Sequence, residues 1–340
     1  MRERVLDYLW ESGHVTARIV RALLTPLGWV FGLLVRIRNL AYDRGWIAQR
    51  ALALPTISIG NLTVGGTGKT PVTAWVASRL RERGGAPCVV LRGYGDDEPK
   101  VHIRLNPDIP VVVDADRVGA IVRMRNAGAT VAVLDDGFQH RRARRDADVV
   151  LLSADRFGPV RLLPAGPWRE PLTALGRANI IVVTRKSASR IRARELLSHA
   201  MRFAPRAEGA MVHLAADVLV ACDSTASLPA TGVADADVLA ISAIAEPRAF
   251  ESQLRALGAR VVSASYSDHH QFTEAEASSL AERARGAAWA VCTLKDAVKL
   301  AALWPRGAPP LWYLSQRVSV EAGAESLDAL IARFAPGSTP

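Results

Sequence analysis

Cysteine is scarce in this 340-residue chain: only Cys88, Cys222 and Cys292 occur. They are far apart and odd in number, and Cys88 and Cys292 sit in apolar, strand-like runs. A disulfide framework and a zinc site are excluded, and a reducing cytoplasm fits. The order of a secretory leader is missing too. Arg2, Glu3 and Arg4 lead into a stretch where Asp7 and Glu11 interrupt any apolar core. There is no internal repeat, no low-complexity segment and no interleaving of aromatic with basic residues, which argues against nucleic acid as a partner. An unbroken apolar run of about 20 residues, the length that spans a bilayer, is also lacking. The most apolar stretch is 27–35, or 22–35 if Thr25 and Pro26 are tolerated. Residues 1–50 hold no lysine, against eight arginines and four acids. Arg18 and Arg21 precede the apolar run and Arg36 and Arg38 follow it. That is the layout of a helix lying in a membrane interface with its guanidinium groups toward lipid phosphates, or of an amphipathic helix docked on the body.

What is present points to two packed domains. Hydrophobic residues make up 49% and charged residues 22%, ample for cores and too apolar for disorder. The net charge of +10 suits nucleic acid, an anionic lipid surface or a phosphorylated substrate, and charge alone does not choose among them. From residue 51 the pattern runs strand, turn, helix, repeated. Aliphatic runs at 54–59, 88–91, 111–113, 131–134, 149–152 and 180–184 are expected strands of a mostly parallel sheet, with a helix over about 69–83. A second series has strands at 238–241, 261–264, 290–293 and 311–314 and helices near 247–257, 273–285 and 295–304. The expected fold class is α/β: an N-terminal membrane-interface segment (1–50), a P-loop nucleotide-binding domain (51–205) and a smaller α/β domain (206–335).

The strongest chemical signal is Thr63-Val64-Gly65-Gly66-Thr67-Gly68-Lys69-Thr70, directly after a buried-type strand and before a helix. Such glycines let the backbone curl so that successive N–H groups face phosphate oxygens. Lys69 brings a mobile charge to the β and γ phosphates of ATP, and the Thr70 hydroxyl is placed to ligand Mg²⁺. The motif's usual first glycine is Thr63 here. The second signal is the strand 131–134 ending in Asp135-Asp136, where an open α/β sheet presents ligands. One of these carboxylates is expected near Mg²⁺ and the other toward substrate or structure, since neighbours on a strand end point apart.

With Gly137-Phe138-Gln139-His140 added, the chain resembles the tetraacyldisaccharide 4'-kinases of lipid A biosynthesis. The resemblance runs through Ile59-Gly60-Asn61-Leu62, Pro71, Arg92-Gly93-Tyr94-Gly95, Asp97-Glu98-Pro99 and Asp116-Arg117. It continues through Leu162-Leu163-Pro164-Ala165-Gly166-Pro167-Trp168-Arg169-Glu170-Pro171, Asp268-His269-His270-Gln271-Phe272, Lys295-Asp296-Ala297-Val298-Lys299 and Trp312-Tyr313-Leu314. It implies transfer of the ATP γ-phosphate to the 4'-hydroxyl of a tetraacylated glucosamine disaccharide 1-phosphate, at the cytoplasmic face of the bacterial inner membrane. It also tilts residues 22–38 toward the interface. By motif, Asp97 and His269 are the pair expected to activate the hydroxyl, with Lys69 and Asp136 completing the catalytic set. Arg92, Tyr94, Gln139, His140, Arg169 and Glu170 are the expected substrate contacts. The chain departs from the family between Gly95 and Asp97, where only Asp96 stands in place of a longer insert.

The basic run Arg141, Arg142, Arg144 and Arg145 is expected to be a solvated face, or else to attract anionic headgroups. Arg169 and Glu170 are substrate contacts or an ion pair of their own. His269 and His270 do not form a metal site, because adjacent histidines seldom share an ion. Thr293-Leu294-Lys295-Asp296 is expected as a strand end and helix cap. No obligate protein partner is evident. The competing function is a P-loop ATPase or nucleotide switch acting on a protein or membrane partner, which would need only water as acceptor.

Overall fold

A computed structural model describes residues 6, 8–10, 12–93, 97–245 and 247–336. In chain order the elements are helix α1 (Val15–Asp43), strand β1 (Thr56–Asn61), α2 (Lys69–Glu82), β2 (Pro87–Leu91), α3 (Asp97–Leu105), β3 (Val111–Val113), α4 (Arg117–Asn126), β4 (Val131–Asp135), β5 (Ala147–Ser153), β6 (Ile180–Arg185), α5 (Arg190–Met201) and β7 (Glu208–Ala221). There follow β8 (Asp237–Ser242), α6 (Pro247–Ala256), β9 (Arg260–Ser265), α7 (Glu274–Ala284), β10 (Trp289–Thr293), α8 (Leu294–Leu300), β11 (Leu311–Ala322) and α9 (Ala324–Ala332). The chain forms two compact units: one of the described residues to 93 with 102–212 and 320–336, the other of 97–101 with 213–319. Residues 206–212 and 320–335, expected in the second domain, and α1, expected as a segment apart, all fall in the first unit.

In the first unit the parallel order is β6-β5-β1-β4-β2-β3. Strands β1, β4 and β5 are buried along their whole length, because helices or loops cover both faces of such a sheet. The chain leaves β1 toward β2 and β3, returns to β4, then crosses β1 to reach β5. The loops after β1 and β4 therefore emerge side by side at the carboxyl edge, where this topology opens a crevice. Gly60 in β1 permits that proximity: a Cβ there would lie 2.5 Å from the Phe138 side chain. Phe138 is fully buried, with the Arg177 guanidinium 4.3 Å above its ring.

Helix α1 is 29 residues long, a span of about 43 Å, so the short apolar run read from sequence is only its middle. Pro26 lies within it. The helix is long and apolar enough to cross a membrane. Its seat on the first unit is one narrow stripe that includes Ala17, Gly28, Gly32 and Val35. A Cβ on Gly32 would lie 2.5 Å from Leu162, which shows how closely this stripe packs. The opposite face leaves Leu23, Leu27, Trp29, Val30, Leu33, Leu34 and Ile37 exposed. Arg18 and Arg36 point outward. Arg21, expected to face lipid, is instead buried and donates to the carbonyls of Leu9 and Ser12 at 2.5 and 2.8 Å. Those carbonyls precede the helix and need donors.

The second unit has the parallel order β9-β8-β10-β11. Its core is formed by apolar residues of these strands with α6, α7 and α8. Thr273 caps α7 in a reciprocal capping box with Glu276. Thr293 caps α8 by accepting from the Asp296 N–H.

Candidate active site

The P-loop of the first unit is held from outside. Thr63 forms an antiparallel bridge with Trp168, and the Val64 N–H donates to the Pro167 carbonyl at 2.8 Å. An extended bridge accommodates threonine, so this position does not require the missing glycine. Asn61 Nδ2 donates to Thr67 Oγ1, and Thr184 Oγ1 donates to the Thr67 carbonyl, both at 2.8 Å. Gly65 and Gly68 have φ of 105° and 81°, conformations that favour glycine. Helix α2 starts at Lys69, so its N-terminal dipole and N–H groups end in the loop, an anion-binding arrangement. Thr70 is nearly buried in its first turn.

The two carboxylates after β4 diverge. Asp135 is buried, and its Oδ2 lies 2.8 Å from His102 Nε2. Asp136 takes a left-handed φ of 53°, costly for most side chains but easiest for Asp, Asn and His. That turn delivers its carboxylate to Arg169, whose Nη1 and Nη2 donate to the two oxygens at 2.8 and 2.7 Å. Lys69 Nζ is 3.8 Å away. Burial works against the charged form of Asp136, yet Lys69, Arg169 and Arg117 hold it well below the usual carboxylate range. Arg169 also donates to Asn61 Oδ1. Lys69, Asp136, Arg169 and Asn61 thus form one polar assembly at the crevice.

Glu170, next in sequence, turns the other way. It is buried and accepts from Asn39 Nδ2 at 2.7 Å, Gln139 Nε2 at 3.1 Å and Arg177 Nη2 at 3.0 Å. Arg169 and Glu170 therefore have separate partners. Gln139 Nε2 also donates to the Asn61 carbonyl at 2.8 Å, so this glutamine ties the loops together. Arg38 donates to the Gln139 carbonyl at 2.8 Å, which connects α1 to the same network. Burial, with Arg117, Arg145, Arg92 and Arg142 nearby, pushes His140 down to about 4 and keeps it neutral at physiological pH. Arg92 is exposed, and Tyr94 lies outside the described residues. The run 141–145 is only half a solvated face. Arg142 and Arg144 are exposed, whereas Arg141 pairs with Asp43 at 2.6 Å and Arg145 with Asp148 at 2.8 Å.

In the second unit, Asp97 opens α3 and is 2% exposed. His269 Nδ1 is 3.3 Å from its Oδ2, an ion-pair distance. Neither Asp97 oxygen has a well-aligned hydrogen bond among the described residues. Burial disfavours the carboxylate, but the His269 ring and the ammonium groups of Lys295 and Lys299 outweigh it and hold Asp97 at about 2. The Asp97 carboxylate in turn raises His269 against the effect of burial. Like Asp136, His269 has a left-handed φ, 54°. His270 turns to Glu276, 3.1 Å away. No cluster of three or more His, Cys, Asp or Glu side chains suited to a metal occurs among the described residues.

Sequence reasoning passed over His102, Asn61 and Arg117 as site residues. His102 stands five positions after Asp97, a spacing that signals nothing by periodicity. Asn61 was in a noted stretch, but its side chain shows its role only once β1 and the 169 loop meet. Arg117 is fully buried, and its Nη1 donates to the Asp136 carbonyl at 3.1 Å. Its sequence neighbour Asp116 is itself charged, so nothing local marks Arg117 as a buried residue.

Comparison with known proteins matches this geometry to one family. The sequence model described as Tetraacyldisaccharide-1-P 4'-kinase matches residues 20–106 and 97–335. The two pieces overlap beside the shortened segment that follows Gly95. A tetraacyldisaccharide 4'-kinase of Anaeromyxobacter sp. (strain Fw109-5) is 38% identical, covering 97% of each chain. That of Geobacter sulfurreducens is 36% identical over 86% of this chain and 88% of its own. The crystal structure of LpxK from Aquifex aeolicus in complex with ATP is similar with a TM-score of 0.73 and 28% identity, covering 93% of this chain and 99% of that one.

Proposed function

The chain belongs to the tetraacyldisaccharide 4'-kinase family, and from that premise we propose how its residues divide the work of an ATP-dependent phosphotransferase. The reaction moves the γ-phosphate of ATP to the 4'-hydroxyl of a tetraacylated glucosamine disaccharide 1-phosphate. In the first unit, the P-loop N–H groups and Lys69 bind the phosphates. Thr70 and the Asp135/Asp136 pair would hold Mg²⁺, which supplies charge neutralisation to the phosphates when bound. The buried Asp135 Oδ1 lacks a hydrogen-bond partner among the described residues, and one or two carboxylates suit an ion that keeps waters and phosphates as its other ligands. Arg169 orients Asp136. In the second unit, Asp97 accepts the proton of the acceptor hydroxyl and His269 orients the carboxylate. Arg92, Tyr94 and the neutral His140 contact the lipid substrate, while Gln139 and Glu170 hold the loops that carry Asp136 and Arg169.

The observation that carries the kinase over a nucleotide switch is Asp97: a buried, ionised carboxylate paired with histidine serves an acceptor hydroxyl, and a switch has no use for it. The test is incubation with Mg²⁺-ATP and a panel of acylated glucosamine disaccharide 1-phosphates, read by mass spectrometry. One phosphate should appear on the acceptor, with little ADP formed when acceptor is omitted. Brisk ADP formation in water alone, with no phosphorylated lipid, would favour the switch.

We also place the protein at the cytoplasmic face of the inner membrane as a monotopic enzyme, with the apolar face of α1 in the lipid. Trp29→Glu with Leu33→Glu alters exposed positions only, 72% and 56% exposed, so the fold should persist. Sedimentation with anionic vesicles should fall at least tenfold, because a charge in the interface opposes apolar burial. Wild-type binding should weaken with salt if Arg18 and Arg36 meet lipid phosphates. Undiminished binding by the double variant would put the anchor elsewhere.

A further inference from the structure

We propose that His102 is a positioning residue of the metal site, holding Asp135 by one oxygen so that the other is presented to the Mg²⁺ that accompanies ATP; the inference rests on the metal-ligand assignment proposed above. The observation is a buried pair. His102 Nε2 lies 2.8 Å from Asp135 Oδ2, with the two side chains 1% and 4% exposed. Asp135 Oδ1 and His102 Nδ1 are buried and have no hydrogen-bond partner among the described residues. A proton on Nδ1 would have nothing to donate to, so the ring proton belongs on Nε2, where the carboxylate accepts it. Both ends of the pair are held. Asp135 is the last residue of β4 and lies opposite Ile59 of β1, the strand that runs into the P-loop. His102 sits in the last turn of α3, where its carbonyl accepts from the Asn106 N–H at 2.9 Å. Asn106 Nδ2 in turn donates to the Ala74 carbonyl of α2 at 2.8 Å.

Packing alone does not ask for histidine here. Burying an imidazole carries a desolvation cost that an aliphatic side chain avoids. Yet α3 leaves Ile103 52% exposed and buries its neighbour His102. The two acids that end β4 are also treated differently. Asp136 gives both oxygens to Arg169, whereas Asp135 accepts one bond on one oxygen. A carboxylate pinned in this way has its rotation fixed and its second oxygen uncommitted. That suits a hard cation which takes one or two carboxylates and fills the rest of its shell with waters and phosphates. A buried acceptor without a partner costs free energy, and the cation or a water bound to it removes that cost.

The experiment is calorimetric titration with ATP, once with Mg²⁺ and once with excess EDTA, of wild type, His102→Leu, His102→Gln, His102→Asn and Asp135→Asn. Melting of each nucleotide-free protein is the folding control. With Mg²⁺, His102→Leu should lose about 10–100-fold in ATP affinity, the range for removing a group that orients a metal ligand. In EDTA its affinity should stay within about twofold of wild type, since the P-loop is untouched. The glutamine amide reaches the place of Nε2 and should restore most of the loss; the asparagine amide is too short and should not. Asp135→Asn should show the same Mg²⁺-dependent loss as His102→Leu. If Asp135→Asn is deficient while His102→Leu binds Mg²⁺-ATP within about twofold of wild type, the positioning role is overturned and the metal assignment stands. Equal losses of His102→Leu with Mg²⁺ and with EDTA also overturn it, pointing to loop shape. So does equal behaviour of the glutamine and asparagine variants, which decides the matter should the leucine protein melt early. Wild-type Mg²⁺ dependence in Asp135→Asn would overturn the metal assignment itself, and the inference would fall with it.

Discussion

Replacing Lys69 with alanine should reduce phosphoryl transfer by about 10²–10³-fold or more, the usual cost of removing one preorganised charge from a developing anionic centre. The side chain is the P-loop cation, and its Nζ lies 3.8 Å from the Asp136 carboxylate. Without it Asp136 keeps its bidentate contact with Arg169, so the carboxylate stays paired and the fold should hold. Melting temperature is thus expected to change little while the rate collapses. Thr70→Ala should lower activity in a different way, by raising the Mg²⁺ concentration needed for half-maximal rate, if its hydroxyl serves as the metal ligand proposed above. Rates measured across a Mg²⁺ titration separate the two. Full activity of Lys69→Ala would remove the basis for the P-loop assignment.

Most of the sheet was legible because short aliphatic runs mark its strands: 111–113 is unchanged and 88–91, 131–134, 180–184 and 290–293 gained one residue each, whereas the strand expected at 54–59 runs 56–61 and the one expected at 311–314 continues to 322. Strand β7 was missed because its 14 residues (Glu208–Ala221) mix alanine and glycine with two acids, Glu208 and Asp217. Intrinsic preference there is weak and pairing with its neighbours decides. Helix α1 was foreshortened for a related reason. Arginines at 18, 21, 36 and 38 break an apolar count, yet a helix stripe tolerates them when they reach carbonyls or solvent.

At the site, the P-loop and the Asp-Asp pair were legible because chain-local spacing encodes them. Their long-range partners were not. That Arg169 clasps Asp136 rather than Glu170, and that His102 meets Asp135, depends on which way each backbone turns. The left-handed turns at Asp136 and His269 have no sequence signature beyond residue types that tolerate them. Two such strained residues at positions independently selected for chemistry fit the tendency of functional sites to hold backbone strain.

Asp97→Ala and His269→Ala should each lower kcat by roughly 10²–10⁴-fold, the range for loss of a general base. The double variant should be little worse than either, since residues working as one device are strongly non-additive. The pair's electrostatics add a readout independent of rate. Asp97 is held at about 2 against its own burial, by the His269 ring first and then by Lys295 and Lys299. Removing the ring leaves the burial in place and takes away the largest stabilising contribution to the carboxylate. The Asp97 carboxyl, followed by carbon NMR, should therefore titrate at higher pH in His269→Ala than in wild type. Nucleotide affinity should stay close to wild type in both single variants, because Lys69, Thr70 and Asp136 are untouched. Fully multiplicative losses in the double variant would assign Asp97 and His269 to separate steps, and an unshifted Asp97 titration would show that Lys295 and Lys299, not the histidine, set its charge. A near-wild-type rate for Asp97→Ala would move the base to Asp96 or Asp136, the carboxylates nearest in sequence and in the first unit's assembly.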